Sequence, residues 1–225
     1  MPKVESIGDL TFLLEKAKYH RQTPEHGPLS LVLSIESAQS LLRMSSIIEQ
    51  FDEERKKVGL SPKHVHIGAL LFASEDYCAA TGIVRTRSRK ELLFPRAHMA
   101  TIAKAYNLQA IDMVCIDYKD MDYLKEEAME ARHLGFDGKQ AIHPNQVSTI
   151  QSTFSPSDSD IDRAAKIKFT YDQAVQKNDA GAVGFTEGNS LIMVDAPLLK
   201  QAEAVLAKAQ AAGKAIPDVS SMDHE

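Results

Sequence analysis

Cysteine is scarce in this sequence: Cys78 and Cys115 are the only two among 225 residues. Neither stands in a CxxC pair or at a Cys/His metal spacing, so a disulfide framework and a zinc cluster both lack their ligands. A reducing, intracellular compartment is the expectation. Long hydrophobic runs are also absent. No apolar stretch approaches the roughly 20 residues that a bilayer requires, and the opening "MPKVESIGDL" does not look like a signal or transit peptide. A GxGxxG loop after a strand and a P-loop are both missing, which removes the main dinucleotide and nucleoside-triphosphate signals. So are internal repeats and low-complexity linkers. Positive charge is in deficit, with a formal net charge of -5. That argues against nucleic acid as a partner and leaves room only for a local basic pocket. No membrane partner is expected either.

What is present is the composition of an ordinary globular protein, 44% hydrophobic and 25% charged, long enough for one large domain or two small ones. Strand-length apolar runs alternate with stretches of helical period. Five runs are candidate strands, at residues 2–4, 29–35, 65–72, 110–116 and 138–142. Helices are expected at 7–19, from Ala38 to about Phe51, at 95–106 with a proline at the start, and from Met121 to a stop at Gly135. Such alternation means parallel strands joined by right-handed crossovers. Near-continuous apolar strands fit a sheet buried on both faces.

Two layouts satisfy that pattern, a doubly wound sheet and a TIM-type (β/α)8 barrel. The strand ends favour the barrel. After the five runs come Glu5, Glu36, the pair Glu75-Asp76, Asp117 and His143. In a barrel, groups at the C-terminal strand ends converge on one mouth, where the chemistry lies. From Ser157 the character changes. An amphipathic helix opened by Ser and Asp capping residues is followed by a glycine-bearing loop over 179–189. The short apolar "SLIMV", Asp195 and a last helix over 197–213 complete the chain, and the tail from Lys214 reads as frayed. The expected organisation is a partial barrel over 1–156 and a helical C-terminal extension over 157–225.

Glu36 and Asp76, at separate strand ends, are the pair best placed to hold a hard divalent cation. Mg2+ takes only one or two protein carboxylates and completes its octahedron with waters and substrate oxygens. Glu75 and Asp117 read as capping or supporting acids. By spacing alone, His143-Pro144 is a strand-to-helix turn, and Asp195 is a helix N-cap with Pro197 at the first helical position. The run "RTRSRK" (Arg85, Arg87, Arg89, Lys90) reads as a solvated face or an anion contact. Arg96 reads as an anion contact or the partner of a nearby acid. Met44, Met99, Met113 and Met193 sit at apolar positions and read as core.

The segments "PKVES", "SIES", "FASEDYCAATG", "LQAIDMVCIDYKD", "LGFDGKQAIHPNQV", "FSPS" and "MVDAPLLKQA" occur in one order from Pro2 to about Ala212. In that order they resemble the citrate lyase beta-subunit-like branch of the HpcH/HpaI aldolase superfamily, of the citramalyl-CoA lyase type. The resemblance implies a Mg2+-dependent barrel that breaks a C–C bond in a 3-hydroxyacyl-CoA to give acetyl-CoA and a 2-keto acid. It implies Glu36 and Asp76 as the metal ligands. The backbone of Ala73, Ser74 and Glu75 would face the substrate carboxylate, with Ser74 standing where the family usually has glycine or alanine, a difference that would crowd that contact. Ile142 and His143 would contact the acyl-CoA, with Lys3 and Arg96 toward the phosphates of coenzyme A. Asp195 would be a catalytic aspartate reaching a neighbouring subunit's site in a homo-oligomer, a trimer or hexamer.

The resemblance begins at the family's fourth barrel strand. The first three strands are not matched, including an arginine on the third that grips the substrate carboxylate. Five strands cannot close an eight-stranded barrel, because strand number and stagger are fixed together, so an open parallel edge is expected. Two readings follow: an acyl-CoA lyase, or a non-catalytic chain that binds metal or coenzyme A or pairs with a full-length homologue. The compartment expected is the mitochondrial matrix in a eukaryote and the cytoplasm in a bacterium.

Overall fold

The structure, a computed structural model, describes residues 1–20, 27–176, 182–187 and 190–219. The chain forms two compact units, Met1–Phe154 and Ser155–Glu225.

The first unit is built on a four-stranded parallel sheet of β1 (Leu29–Ile35), β2 (Val65–Phe72), β3 (Gln109–Asp112) and β4 (Gly138–Lys139), in that spatial order. Helices α1 (Gly8–His20), α2 (Ala38–Lys57), α3 (Ser74–Thr81), α4 (Leu93–Ala105), α5 (Met121–His133) and α6 (Pro144–Phe154) alternate with the strands. Strand order that never reverses decides between the two layouts. Right-handed crossovers then put every helix on one face, as in a barrel wall, whereas a doubly wound sheet reverses direction at a switch point. The arc is an open portion of a barrel.

Local chemistry explains the individual elements. On β1, Leu31, Leu33 and Ile35 are buried and alternate with Ser30, Val32 and Ser34, so one face carries the core. These residues pack with Leu70 and Phe72 of β2 and with Leu41, Met44, Ile48 and Phe51 of α2. A bulge between Leu31 and Val32 shifts the β1–β2 register. Gly68 sits there, and a Cβ on it would lie 2.1 Å from Ser30 Oγ, so any other residue would force the Ser30 hydroxyl to move. Ser37 caps α2 by accepting from the Ser40 N–H, while Ser40 Oγ accepts from the Ser37 N–H.

The strand expected at residues 2–4 does not form. The Met1 amino group donates to the Val32 carbonyl and the Ser34 N–H donates to the Met1 carbonyl, so pairing along β1 begins. It stops at once, because Pro2 has no N–H to donate and Lys3 adopts φ 53. The strands at 110–116 and 138–142 are also shorter than expected. Side chains take the backbone carbonyls past Asp112: Lys139 donates to Met113 O, Arg85 to Val114 O and Gln146 to Cys115 O. A carbonyl bound this way is satisfied without a neighbouring strand. Helix α4 begins at Leu93 after a 3-10 turn at Lys90–Leu92, which places Pro95 at its third position.

The second unit holds α7 (Asp158–Gln176), an antiparallel hairpin of β5 (Val183–Glu187) and β6 (Ser190–Val194), and α8 (Ala196–Ala211). Residues 183–187 of the expected glycine-bearing loop are therefore strand, with Ala182 just before it. The rest of that loop, and the 177–178 end of the expected helix, lie outside the described residues. Ile161, Ile167, Val194, Leu206 and Val219 form this unit's core. Val219 is buried and Lys214 Nζ donates to Pro156 O and Asp158, so residues 214–219 are docked rather than frayed. The tail beyond them lies outside the described residues. Met193 departs from the core expectation: it is 66% exposed, beside Leu191 at 77%, on the hairpin's outer face.

Candidate functional site

A cavity of about 370 Å³ lies at the C-terminal end of β1. Lys3, Glu5, Glu36, Ser37 and Ser40 line it together with Asp76, Ala79 and Ala80 of α3. The ends of two adjacent strands thus bring Glu36 and Asp76 to one cavity wall. Glu36 is half-buried and its Oε2 accepts the Lys3 N–H at 3.1 Å, while Asp76 is exposed on the first turn of α3. Glu5 is held there as well, accepting from Ser37 Oγ at 2.7 Å. Its own N–H and that of Ser6 donate to Asp9 Oδ2, at 3.0 and 2.9 Å. Of the five strand tips, three acids share this cavity.

The donor set is entirely oxygen, with no imidazole or thiolate, which fits a hard cation rather than zinc. Among the described residues no group of three or more His, Cys, Asp or Glu side chains could hold a metal ion. A pair of carboxylates meets the smaller demand of Mg2+.

The other candidates stand elsewhere. Ala73 is half-buried and Glu75 exposed at the opening of α3, a helix without a side-chain cap. Ser74 does not crowd the surface. It is 1% exposed, and its hydroxyl accepts from Arg85 Nη1 and donates to Glu75 Oε1. Ile142 is 50% exposed, and its N–H donates to Gln146 Oε1. His143 is half-buried, stacks on Tyr118 with ring centroids 5.0 Å apart, and accepts the Asn145 N–H at Nδ1. A neutral ring in that bond carries its proton on Nε2. Asp117 is exposed, 3.8 Å from Arg87. In the second unit, Asp195 caps α8, its Oδ1 accepting the Leu198 N–H at 3.0 Å, with Pro197 at the second helical position rather than the first.

Arg96 is not a surface cation. It is 0% exposed and donates through Nε and Nη2 to Asp112 at 3.0 and 3.1 Å, which excludes the phosphate contact expected of it. The "RTRSRK" run divides: Arg85 and Arg89 turn inward, while Arg87 and Lys90 stay on the solvated face. Arg89 is buried and paired with Glu126 and Glu130, Arg87 pairs with Asp120, and both stack over the Tyr123 ring. Burial works against the charge of Arg89, but hydrogen bonds from Glu126 and Glu130 outweigh it and hold the guanidinium above its ordinary value. Sequence reasoning missed the centre of this network, where Lys139 Nζ reaches Asp112 Oδ2 at 3.0 Å and Glu127 Oε1 at 2.5 Å, with all three side chains fully buried. The available signal was three acids of α5, Glu126, Glu127 and Glu130, and an arginine run upstream of them in the chain, Arg89 preceding Glu130 by 41 residues.

A family model described as HpcH/HpaI aldolase/citrate lyase matches residues 1–144. The chain belongs to this family. Its relatives include the mitochondrial citramalyl-CoA lyase of Homo sapiens, 34% identical over 204 residues that make up 90% of this chain. This chain spans 57% of that relative's length. Among solved structures, a citrate lyase from Burkholderia xenovorans LB400 superposes with a TM-score of 0.73 at 21% identity, covering 97% of this chain and 65% of that one. The CitE protein of Mycobacterium tuberculosis, solved in complex with magnesium, acetoacetate and coenzyme A, gives 0.64 at 24% identity, covering 93% and 67%. For the HpcH/HpaI chain described here, these two likenesses fix the fold: an α/β sheet of the citrate lyase beta type, with four barrel strands among the described residues. Among those residues no helix is long and apolar enough to cross a membrane.

Proposed function

We propose that this chain carries the metal-holding part of a Mg2+-dependent acyl-CoA lyase. The substrate is a 3-hydroxyacyl-CoA of the citramalyl-CoA, malyl-CoA or citryl-CoA class, and the products are acetyl-CoA and a 2-keto acid. The observation that carries the proposal is the cavity shared by Glu36 and Asp76. Its support is the family, the identity to a named citramalyl-CoA lyase, and the magnesium, acetoacetate and coenzyme A held by the CitE relative.

In this reading Glu36 and Asp76 hold Mg2+, which when bound supplies a Lewis acid that draws charge from the substrate's oxygens. The Lys3 N–H fixes one Glu36 oxygen against the cavity wall. The uncapped opening of α3 offers the Ser74 and Glu75 backbone N–H groups to the substrate carboxylate, beside Ala73, whose own N–H donates to the Ile35 carbonyl. Ile142 and His143 contact the acyl-CoA, with His143 Nε2–H as a hydrogen-bond donor, and Lys3 remains the candidate for a phosphate. Asp195 takes the proton of the 3-hydroxyl as the bond between C2 and C3 breaks, and returns a proton to the acetyl carbon released. The 3-carbon becomes the keto group, so charge and atoms balance. Asp195 acts on a second copy of the chain in a trimer or hexamer; the exposed Leu191 and Met193 just before it support a subunit contact there. The human relative's name places that protein in mitochondria; an intracellular compartment is the counterpart proposed for this chain.

The test is incubation of the folded chain with Mg2+ and each of the three thioesters, following acetyl-CoA and keto acid. Turnover of at least one is expected. No turnover with any, in a sample with native circular dichroism, sinks the lyase reading. The open four-stranded sheet favours the second reading in that event, a chain that binds metal or coenzyme A or pairs with a full-length homologue.

A further inference from the structure

Helix α3 ends on Gly82 at φ 74, and the chain then turns back under the start of the helix it has just left. This return delivers Arg85, whose side chain is 8% exposed. Its Nη1 donates to Ser74 Oγ at 3.1 Å and to Glu75 Oε1 at 2.5 Å. Its Nη2 donates to Val114 O at 3.0 Å and to Glu127 Oε2 at 3.0 Å. One guanidinium therefore ties the first turn of α3 to the chain following β3 and to α5. Glu127 is itself fixed from the other side by Lys139. Burial alone would lower the Arg85 pKa, but Glu127 and Glu75 more than offset it, so the group stays charged.

Ala73 cannot cap the first turn of α3, and its two polar side chains before Asp76, Ser74 and Glu75, are both bonded to Arg85, while Tyr77 packs into the core against Phe72. Asp76 is the next residue. A lysine at position 85 would keep the charge but lose the planar fork that reaches four acceptors at once.

We propose that Arg85 is a positioning residue for the metal pair, fixing the opening of α3 through Ser74 and Glu75 and thereby placing the Asp76 carboxylate in the cavity it shares with Glu36. The inference rests on Glu36 and Asp76 being the Mg2+ ligands. Groups that orient metal ligands in this way typically change metal affinity by about 10- to 100-fold when removed. Arg85 acts one residue away from the ligand, so the lower end is expected.

The experiment is titration of the whole chain with Mn2+ as the probe, read by electron paramagnetic resonance far below the melting temperature, so that metal affinity is separated from turnover. Asp76→Asn is the control on the site. Arg85→Lys is expected to weaken Mn2+ about 10-fold, and Ser74→Ala, which keeps every charge, to weaken it by a smaller factor. Combining Ser74→Ala with Arg85→Lys is expected to weaken binding no further than Arg85→Lys alone, because both cut one link. Loss of binding in Asp76→Asn with unchanged affinity in both Arg85→Lys and Ser74→Ala overturns the role of Arg85 and leaves the metal site standing. Unchanged binding in Asp76→Asn removes the site, and this inference with it. Should Arg85→Lys fail to fold, Ser74→Ala decides, unchanged affinity again overturning the role.

Discussion

Arg96 and Asp112 form a bidentate ion pair in the interior of the first unit, Nε to Oδ1 and Nη2 to Oδ2, with neither side chain exposed to solvent. Asp112 also receives Lys139 Nζ, so a single carboxylate touches two buried cations. Removing it leaves Arg96 with only Glu130, 3.3 Å from Nη1, and Lys139 with only Glu127. Asp112→Ala is expected to cost about 3–5 kcal/mol, the range for breaking a buried pair from one side. Arg96→Met, which removes a cation and leaves Lys139 to pair with Asp112, is expected to cost less. Urea unfolding followed by circular dichroism measures the difference.

That network also marks how far the sequence could be read. Strands β1 and β2 are legible to the residue because each is an apolar run of strand length, with burial alternating along β1 at Leu31, Leu33 and Ile35. The cavity acids were legible because polar residues ending apolar runs stand out. The length of β3 was not, since the carbonyls that follow it, of Met113, Val114 and Cys115, are taken by Lys139, Arg85 and Gln146 from distant parts of the chain. Arg96 was left between an anion contact and the partner of a nearby acid, because its acid, 16 residues away in the chain, is adjacent only in space; the pair with Asp112 decides for the second. Strand β5 was hidden by its flanking glycines.

Both thiols are buried, and that burial is the main influence pushing Cys78 and Cys115 above the ordinary thiol range. Neither is expected to react with a disulfide reagent at neutral pH in the folded chain. Both should label in urea. Rapid native labelling of either would place that residue at the surface.

Asp9 is held below the usual carboxylate range, chiefly by the Glu5 and Ser6 backbone N–H groups that donate to it. A depressed folded pKa stabilises the fold above the unfolded value, about 3.9, and that contribution fades as pH falls through the folded value. The difference in urea midpoint between wild type and Asp9→Asn is therefore expected to be constant from pH 7 to pH 5. Below about pH 4 it should shrink. A gap that widens on acidification contradicts the assignment.

Asp195 supports a prediction on assembly. Chains carrying Asp195→Ala or Asp76→Asn are each expected to be inactive as lyases, and mixing the two should restore part of the turnover if Asp195 serves a neighbouring copy. Absence of any rescue, with both chains folded and associated, counts against action in trans. Asp195→Ala also removes an N-cap, so a loss of about 1 kcal/mol in stability is expected alongside.

The central claim is that Glu36 and Asp76 form one Mg2+ site, and calorimetric titration of Mg2+ into the folded chain tests it most directly. One binding event is predicted for the wild type, lost in Asp76→Asn and in Glu36→Gln while the unfolding midpoints stay close to wild type. Wild-type Mg2+ affinity in both variants would contradict the account.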